Sequence, residues 1–155
     1  TFGMPLKSAA LGFARLADPS KLGAIRAEAC RTVWQAMKAY PDMVAGPGRF
    51  DTALMRVAGG VLVTKGGAEG FQGIAIAPGT QHKGSPALGV AIKVADGDAR
   101  NRARSIVTLK VLEDLEILTA EQLQKLAEFG PKMQTNWRGI DVGELRPCFQ
   151  LQKVR

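Results

Sequence analysis

The hydrophobic positions at the start of the chain recur at the spacing of an α-helix. In residues 4–16, apolar side chains return every three or four positions until an Asp-Pro pair interrupts them. The same spacing predicts a second helix over residues 22–39. That helix ends because Tyr40 precedes Pro41, and a residue before proline is pushed out of the helical region. Two amphipathic helices are therefore predicted to open the chain.

The middle of the chain changes to short apolar runs that are divided by glycine and polar residues. These runs predict three strands, over residues 61–65, 71–77 and 87–94, arranged as an antiparallel meander. The other predicted elements are a short helix capped by Asp51 or Thr52, a long helix over residues 99–115, a helix opened by a Thr119/Gln122 capping box, and a strand over residues 140–145. We therefore predict an α+β protein, an antiparallel sheet flanked by helices, as a single domain of residues 1–155.

Composition and charge narrow the class of protein. The chain has 155 residues and 46% hydrophobic content, which suits one domain with a buried core. No apolar run reaches the ~18 residues that a membrane span needs. The formal charge is +7, but the basic residues are scattered except at residues 100–104, which favours a solvated surface over a nucleic-acid interface. We predict a soluble protein with no membrane or nucleic-acid partner.

The cysteines and the single histidine argue against a metal centre in this chain. Cys30 and Cys148 are far apart, which favours free thiols in a reducing cytoplasm. His82 is the only histidine and stands in a polar loop, so a cluster of histidine ligands is excluded. Asp96 and Asp98 precede a predicted helix, where carboxylates usually cap the first turn. We predict a cytoplasmic protein with no metal ligands of its own and a structural role for the two aspartates.

Lys65 is the first candidate for chemistry. It ends an apolar strand and is followed by Gly66 and Gly67. Glycines at the edge of a sheet allow a ligand to approach the backbone N–H groups. A lysine at such a place suits a substrate carboxylate or an oxyanion. A surface hairpin with a solvated lysine explains the same residues equally well, so both interpretations stay open.

Several motifs of the chain occur together in one known family. In chain order they are GPGRFDTALM at 46–55, KGGAEGFQGIAI at 65–76, LGVAIKVADGDAR at 88–100 and NWRGIDVGELRP at 136–147. Together they resemble the successive motifs of the bacterial asparaginase II family, the inducible rhizobial type. The opening residues, TFGMPLKSAALGFARLADP, are similar to the helix that follows an Asp-Gly-Cys segment in that family. The resemblance covers nearly the whole chain.

The resemblance implies a fold like that of serine β-lactamases and glutaminases. Such enzymes carry an S-x-x-K serine nucleophile in the N-terminal half, and Lys65 would take the place of the K-T-G-like strand motif beside it. The chain itself contains no S-x-x-K. The resemblance therefore implies the C-terminal half of such an enzyme, with a companion N-terminal polypeptide and a homo-oligomeric assembly. A zinc ion would be held through the upstream Asp-Gly-Cys segment.

The predicted function follows from this resemblance. We expect an amidohydrolase that converts L-asparagine or a related amide to acid and ammonia through an acyl-enzyme, with Lys65 as a catalytic residue. One alternative makes Thr1 the nucleophile, with its free α-amino group as the base. Another alternative is a ligand-binding module without catalysis. The residues expected to bind the substrate are Gly66, Gly67, Glu69, Gly70, Arg49, Asp51 and Thr52.

Overall fold

Three antiparallel strands in chain order form the central sheet of a computed structural model that describes residues 3–99 and 101–154. The helices are α1 (Leu6–Ala17), α2 (Ala24–Ala39), α3 (Pro41–Ala45), α4 (Phe50–Val57), α5 (Arg104–Asp114) and α6 (Ala120–Lys125), followed by a 3-10 turn at Ala127–Phe129. The strands are β1 (Leu62–Gly66), β2 (Phe71–Ile76), β3 (Leu88–Lys93), β4 (Lys132–Thr135) and β5 (Asp141–Leu145). The predicted α+β class with a small antiparallel sheet is confirmed.

Glycines allow α1 to lie close against one face of the sheet. A Cβ atom on Gly89 of β3 would overlap the carbonyl oxygen of Ala10, and one on Gly73 of β2 would overlap the ring of Phe13. Both positions must therefore lack a side chain for α1 to pack where it does. Lys65 pairs with Gly73 across β1 and β2, so the two residues project from this same face.

The hydrophobic core joins the sheet to α4 and α5. Its largest fully buried apolar side chains come from α4, β1, β2, α5 and the residue after α6; they are Leu54, Leu62, Ile74, Ile76, Leu112 and Leu126. Burying an aliphatic side chain contributes about 1.5–3 kcal/mol. The core therefore holds β1 and β2 against α4 and α5.

The long helix begins later than the sequence predicts. The expected start was residue 99, whereas α5 starts at Arg104. The carboxylate of Asp98 accepts hydrogen bonds from the backbone N–H groups of Arg102, Ala103 and Arg104, at 2.8, 3.1 and 3.0 Å. These bonds hold the chain in turns ahead of α5, so the side chain of Asp98 delays the helix while it caps it.

The predicted cap of α4 is wrong. The helix begins at Phe50 with Arg49 at the cap position, so Asp51 and Thr52 lie inside it. Their side chains bond elsewhere: Thr52 Oγ1 donates to the carbonyl oxygen of Gly46 at 2.7 Å, and Asp51 contacts β1. Tertiary partners therefore replace the local capping bond.

In the C-terminal part, the sequence predicted α6 and β5 but not β4. The Thr119/Gln122 capping box is confirmed, because both of its reciprocal hydrogen bonds form, at 3.2 and 2.9 Å. The expected strand at residues 140–145 is confirmed as β5, and it pairs with β4, which the sequence did not predict. All four residues of β4 are exposed, so the strand has no hydrophobic face that a pattern could reveal.

Candidate functional site

An open cavity of about 360 Å³ lies where the end of β1, the start of α4 and the turns before α5 meet. The residues predicted to form the site that line it are Arg49, Asp51, Lys65, Gly66, Gly67, Glu69 and Gly70. Residues from three separate segments of the sequence therefore meet around one volume. The chemical roles assigned to them stay predictions.

Two predicted site residues stand apart from this cavity. Thr52 is 1% exposed, does not line the cavity and bonds to the loop before α4. Its position is that of a structural residue, and its predicted role in substrate binding stays a prediction. Thr1 lies outside the described residues.

Asp51 connects α4 to the end of β1. Its side chain is buried; Oδ2 accepts a hydrogen bond from the backbone N–H of Gly66 at 2.6 Å, and Oδ1 accepts one from Nε2 of Gln72 at 2.9 Å. The amide of Gln72 also donates to Thr64 Oγ1 at 2.5 Å. A buried carboxylate needs such donors to offset the loss of water. Asp51 therefore fixes the strand end that carries Lys65.

The backbone N–H groups of Gly66 and Gly67 already donate to acceptors within the protein. Asp51 occupies the N–H of Gly66, and the N–H of Gly67 donates to the carbonyl oxygen of Phe71 at 2.9 Å. This corrects the expectation that both groups would be open to a ligand. The glycines still line the cavity, and Gly66 leaves room for another side chain.

That side chain is Arg104, a site residue that the sequence reasoning missed. A Cβ atom on Gly66 would lie 2.5 Å from Nη1 of Arg104, so the guanidinium fills the space beside the glycine. Nη1 also donates to the carbonyl oxygen of Gly67 at 3.4 Å. Arg104 ends the basic cluster at residues 100–104, which was the available signal, but only the fold brings it to β1.

Lys65 lies at the rim of the cavity. Its side chain is exposed, and Nζ donates to the carbonyl oxygen of Gly66 at 2.6 Å. Adjacent residues of a strand project to opposite faces, so Lys65 leaves β1 on the face opposite to Thr64. The side chain therefore folds back onto the end of β1. Its hydrogen bond to the carbonyl oxygen of Gly66 can be exchanged for one to a ligand.

The acidic side chains around the cavity already have partners. Asp98, 3% exposed, accepts its three backbone hydrogen bonds and lies 3.8 Å from Nε of Arg102. The exposed Glu69 carboxylate lies 3.6 Å from Nζ of Lys93. Beside them, the hydrogen bond from the N–H of Asp98, together with the charge of Arg102, lowers the pKa of Asp96. These bonds are those of the structural turn and helix cap predicted for this segment.

Three non-glycine residues of the cavity wall have a left-handed backbone. Their φ angles are +54° at Glu69, +48° at Asp98 and +50° at Asn101. This region is uncommon for residues with a side chain, and such backbone strain is concentrated at functional sites in proteins. Asp and Asn adopt this region more readily than other residues, so Glu69 is the most strained of the three.

The sequence model of the L-asparaginase II family matches residues 1–147 of the chain. The chain belongs to the L-asparaginase II family. This confirms the resemblance of the motifs, and membership of the L-asparaginase II family indicates an enzyme that hydrolyses amides. Among curated proteins, none matches the chain significantly.

A protein zinc site needs several His, Cys, Asp or Glu side chains close together. Within residues 3–99 and 101–154, no three His, Cys, Asp or Glu side chains come together as a metal site requires. Cys30 and Cys148 are both free thiols. The described residues therefore do not fit a zinc ion. No helix among them is long and apolar enough to span a bilayer.

Proposed function

We propose that this chain takes part in the hydrolysis of L-asparagine or a related amide to acid and ammonia at the cavity beside Lys65. The match to the L-asparaginase II family over residues 1–147 carries this proposal. The cavity supports it, because about 360 Å³ is within the range of small-molecule sites and admits an amino acid amide. Its wall is mostly polar and charged, which suits such a substrate.

The reaction proceeds in two steps through an acyl-enzyme. A hydroxyl nucleophile attacks the amide carbonyl carbon and gives up its proton; the C–N bond breaks, and the departing nitrogen takes up that proton and leaves as ammonia. Water then attacks the resulting ester, releases the acid and restores the nucleophile. In both steps the carbonyl oxygen carries negative charge, and in this proposal the ammonium of Lys65 stabilises that charge. Lys65 needs only to give up its contact with the carbonyl oxygen of Gly66.

The nucleophile in this proposal comes from a companion N-terminal polypeptide. The serines of this chain are not in S-x-x-K sequences. In the described part of the chain, β1 and β3 form the two edges of the central sheet, and an uncovered edge offers backbone groups for pairing with further strands. A companion that pairs there would complete a sheet of the β-lactamase and glutaminase type. The same proposal includes a zinc ion held through the upstream Asp-Gly-Cys segment. It also includes a homo-oligomeric assembly and a cytoplasmic location.

Ammonia release tests this proposal directly. L-asparagine is supplied to the chain alone and to the chain with its companion polypeptide, and ammonia is measured over time. We expect turnover when both are present. Turnover by the chain alone would overturn the need for a companion and favour Thr1 as the nucleophile. Substrate binding without ammonia release in either sample would instead assign the chain to the binding modules.

A further inference from the structure

Three basic side chains of the cavity wall, Arg49, Lys65 and Arg104, have no ion-pair partner among the described residues. The acidic side chains of the cavity are engaged, as described above. By contrast, none of the described carboxylates lies within 4.0 Å of the charged groups of Arg49, Lys65 or Arg104. Basic side chains without an ion-pair partner are available to an anionic ligand.

Arg104 is the one of these three residues with a buried donor that has no partner among the described residues. A guanidinium has five N–H donors in a planar fork. In the described structure one of these donors contacts the carbonyl oxygen of Gly67 at 3.4 Å, and the buried Nε has no partner. Buried donors without a partner are costly, more so on a charged group. The fork of Arg104 is therefore suited to an acceptor that the protein itself does not supply.

A second cleft of about 160 Å³ adjoins the cavity at this arginine. Arg49, Phe50, Asn101 and Arg104 line both spaces, so they form the wall between them. The second cleft adds Lys132 and has no acidic lining residue among those described. Besides the two arginines of the shared wall, a basic side chain therefore lies in each space, Lys65 in the cavity and Lys132 in the second cleft.

We propose that Arg104 and Arg49 form a carboxylate-binding subsite at this shared wall. The planar fork of an arginine matches the two oxygens of a carboxylate, which makes a bidentate contact possible. The ligand is a small organic acid or amino acid, and in the amide hydrolysis proposed above, on which this assignment rests, it is the carboxylate end of the substrate. The guanidinium of Arg104 occupies the space beside Gly66, which a side chain at position 66 would fill.

Calorimetric titration of the 155-residue chain with succinate tests the subsite without any need for turnover. We expect Arg104→Gln to weaken succinate binding about tenfold to a hundredfold, which is the range for hydrogen bonds to a charged group. Arg104→Lys keeps the charge but loses the fork, and is expected to weaken binding also. Arg26→Gln is the matched control, since it removes an exposed arginine of α2 outside both spaces.

If the Arg104 variants do not fold, succinate binding by Arg49→Gln tests the subsite instead. Arg49 is exposed, so its loss leaves the core intact. Absence of succinate binding by the unchanged chain would overturn the subsite, as would equal binding by the Arg49 and Arg26 variants. Inorganic phosphate is titrated in parallel, and tighter binding of phosphate than of succinate would overturn the carboxylate assignment.

The two proposals fail in different ways. If L-asparagine is hydrolysed with an unchanged KM in Arg104→Gln, the subsite is wrong and the amidase proposal stands. If succinate binds at Arg104 and no amide is hydrolysed by the complete assembly, the subsite stands and the amidase proposal is wrong.

Discussion

Nη1 of Arg104 lies 2.5 Å from the place that a Cβ atom of Gly66 would take. This relationship explains why a glycine follows the lysine at the end of β1. The space left by the missing side chain is filled by a guanidinium from the start of α5. Gly66 thus joins two segments that are 38 positions apart in the sequence, from residue 66 to residue 104.

Gly66→Ala is expected to displace Arg104 and to weaken succinate binding at least about tenfold. The fold should survive, because the clash is with the end of a flexible side chain. Calorimetry and the melting temperature measure the two effects. Gly143→Ala in exposed β5 is the matched control, since a Cβ atom there has no neighbour within 4 Å. Equal binding by both variants would contradict the packing role of Gly66.

Gly89→Ala and Gly12→Ala are expected to change stability in opposite directions. A side chain on Gly89 meets the backbone of α1 and pushes the helix off the sheet, which should cost about 3 kcal/mol. Gly12 lies inside α1 with open space around its Cα, so alanine should stabilise the helix by about 0.5–1 kcal/mol. Urea unfolding measures both. A stable Gly89→Ala variant would show that α1 does not contact β3 as described.

Lys65→Ala is expected to lower turnover of L-asparagine about 10²-fold, the scale of losing one group that stabilises an oxyanion. The melting temperature should change little, because the side chain is exposed. Lys83→Ala, which removes an exposed lysine from a loop that does not line the cavity, serves as the control. Unchanged kinetics in Lys65→Ala would remove this lysine from the mechanism.

Asp51→Ala is expected to destabilise the fold by about 2–3 kcal/mol. The substitution leaves the N–H of Gly66 and the amide of Gln72 without their buried acceptor. Asp51→Asn retains an oxygen acceptor and should lose less. The free energy of unfolding, measured with urea, distinguishes the variants. A loss under about 0.5 kcal/mol in the alanine variant would mean that solvent replaces the carboxylate, contrary to its burial.

The pKa of Asp96 should be measured below its usual value of 3.8, mainly because the N–H of Asp98 donates to the carboxylate. A lowered pKa in the folded state stabilises the fold above the unfolded pKa, and this contribution is lost as the pH falls through the folded pKa. Carbon NMR titration reports the value directly. Arg102→Gln should raise it only in part, because the backbone hydrogen bond remains. A full return to 3.8 would make the arginine the main cause.

The sequence by itself determined the elements whose signal is local. The apolar spacing indicated α1 and α2, although two apolar side chains of α2, Ile25 and Val33, remain exposed. Alternating glycine and apolar runs gave the β1–β3 meander, and the Thr119/Gln122 box gave the start of α6. The motifs between residues 46 and 147 also indicated the family, which the match of its model to residues 1–147 confirms.

The tertiary structure decided what depends on distant partners. Asp51 was expected to cap α4, but its burial against β1 turned it toward Gly66. The start of α5 moved to Arg104 because Asp98 holds the preceding residues in a turn. Arg104 lines the cavity because Gly66, far away in the sequence, has no side chain to fill the space beside it. Hydrophobic periodicity cannot encode such contacts, because each one depends on where a second segment comes to lie.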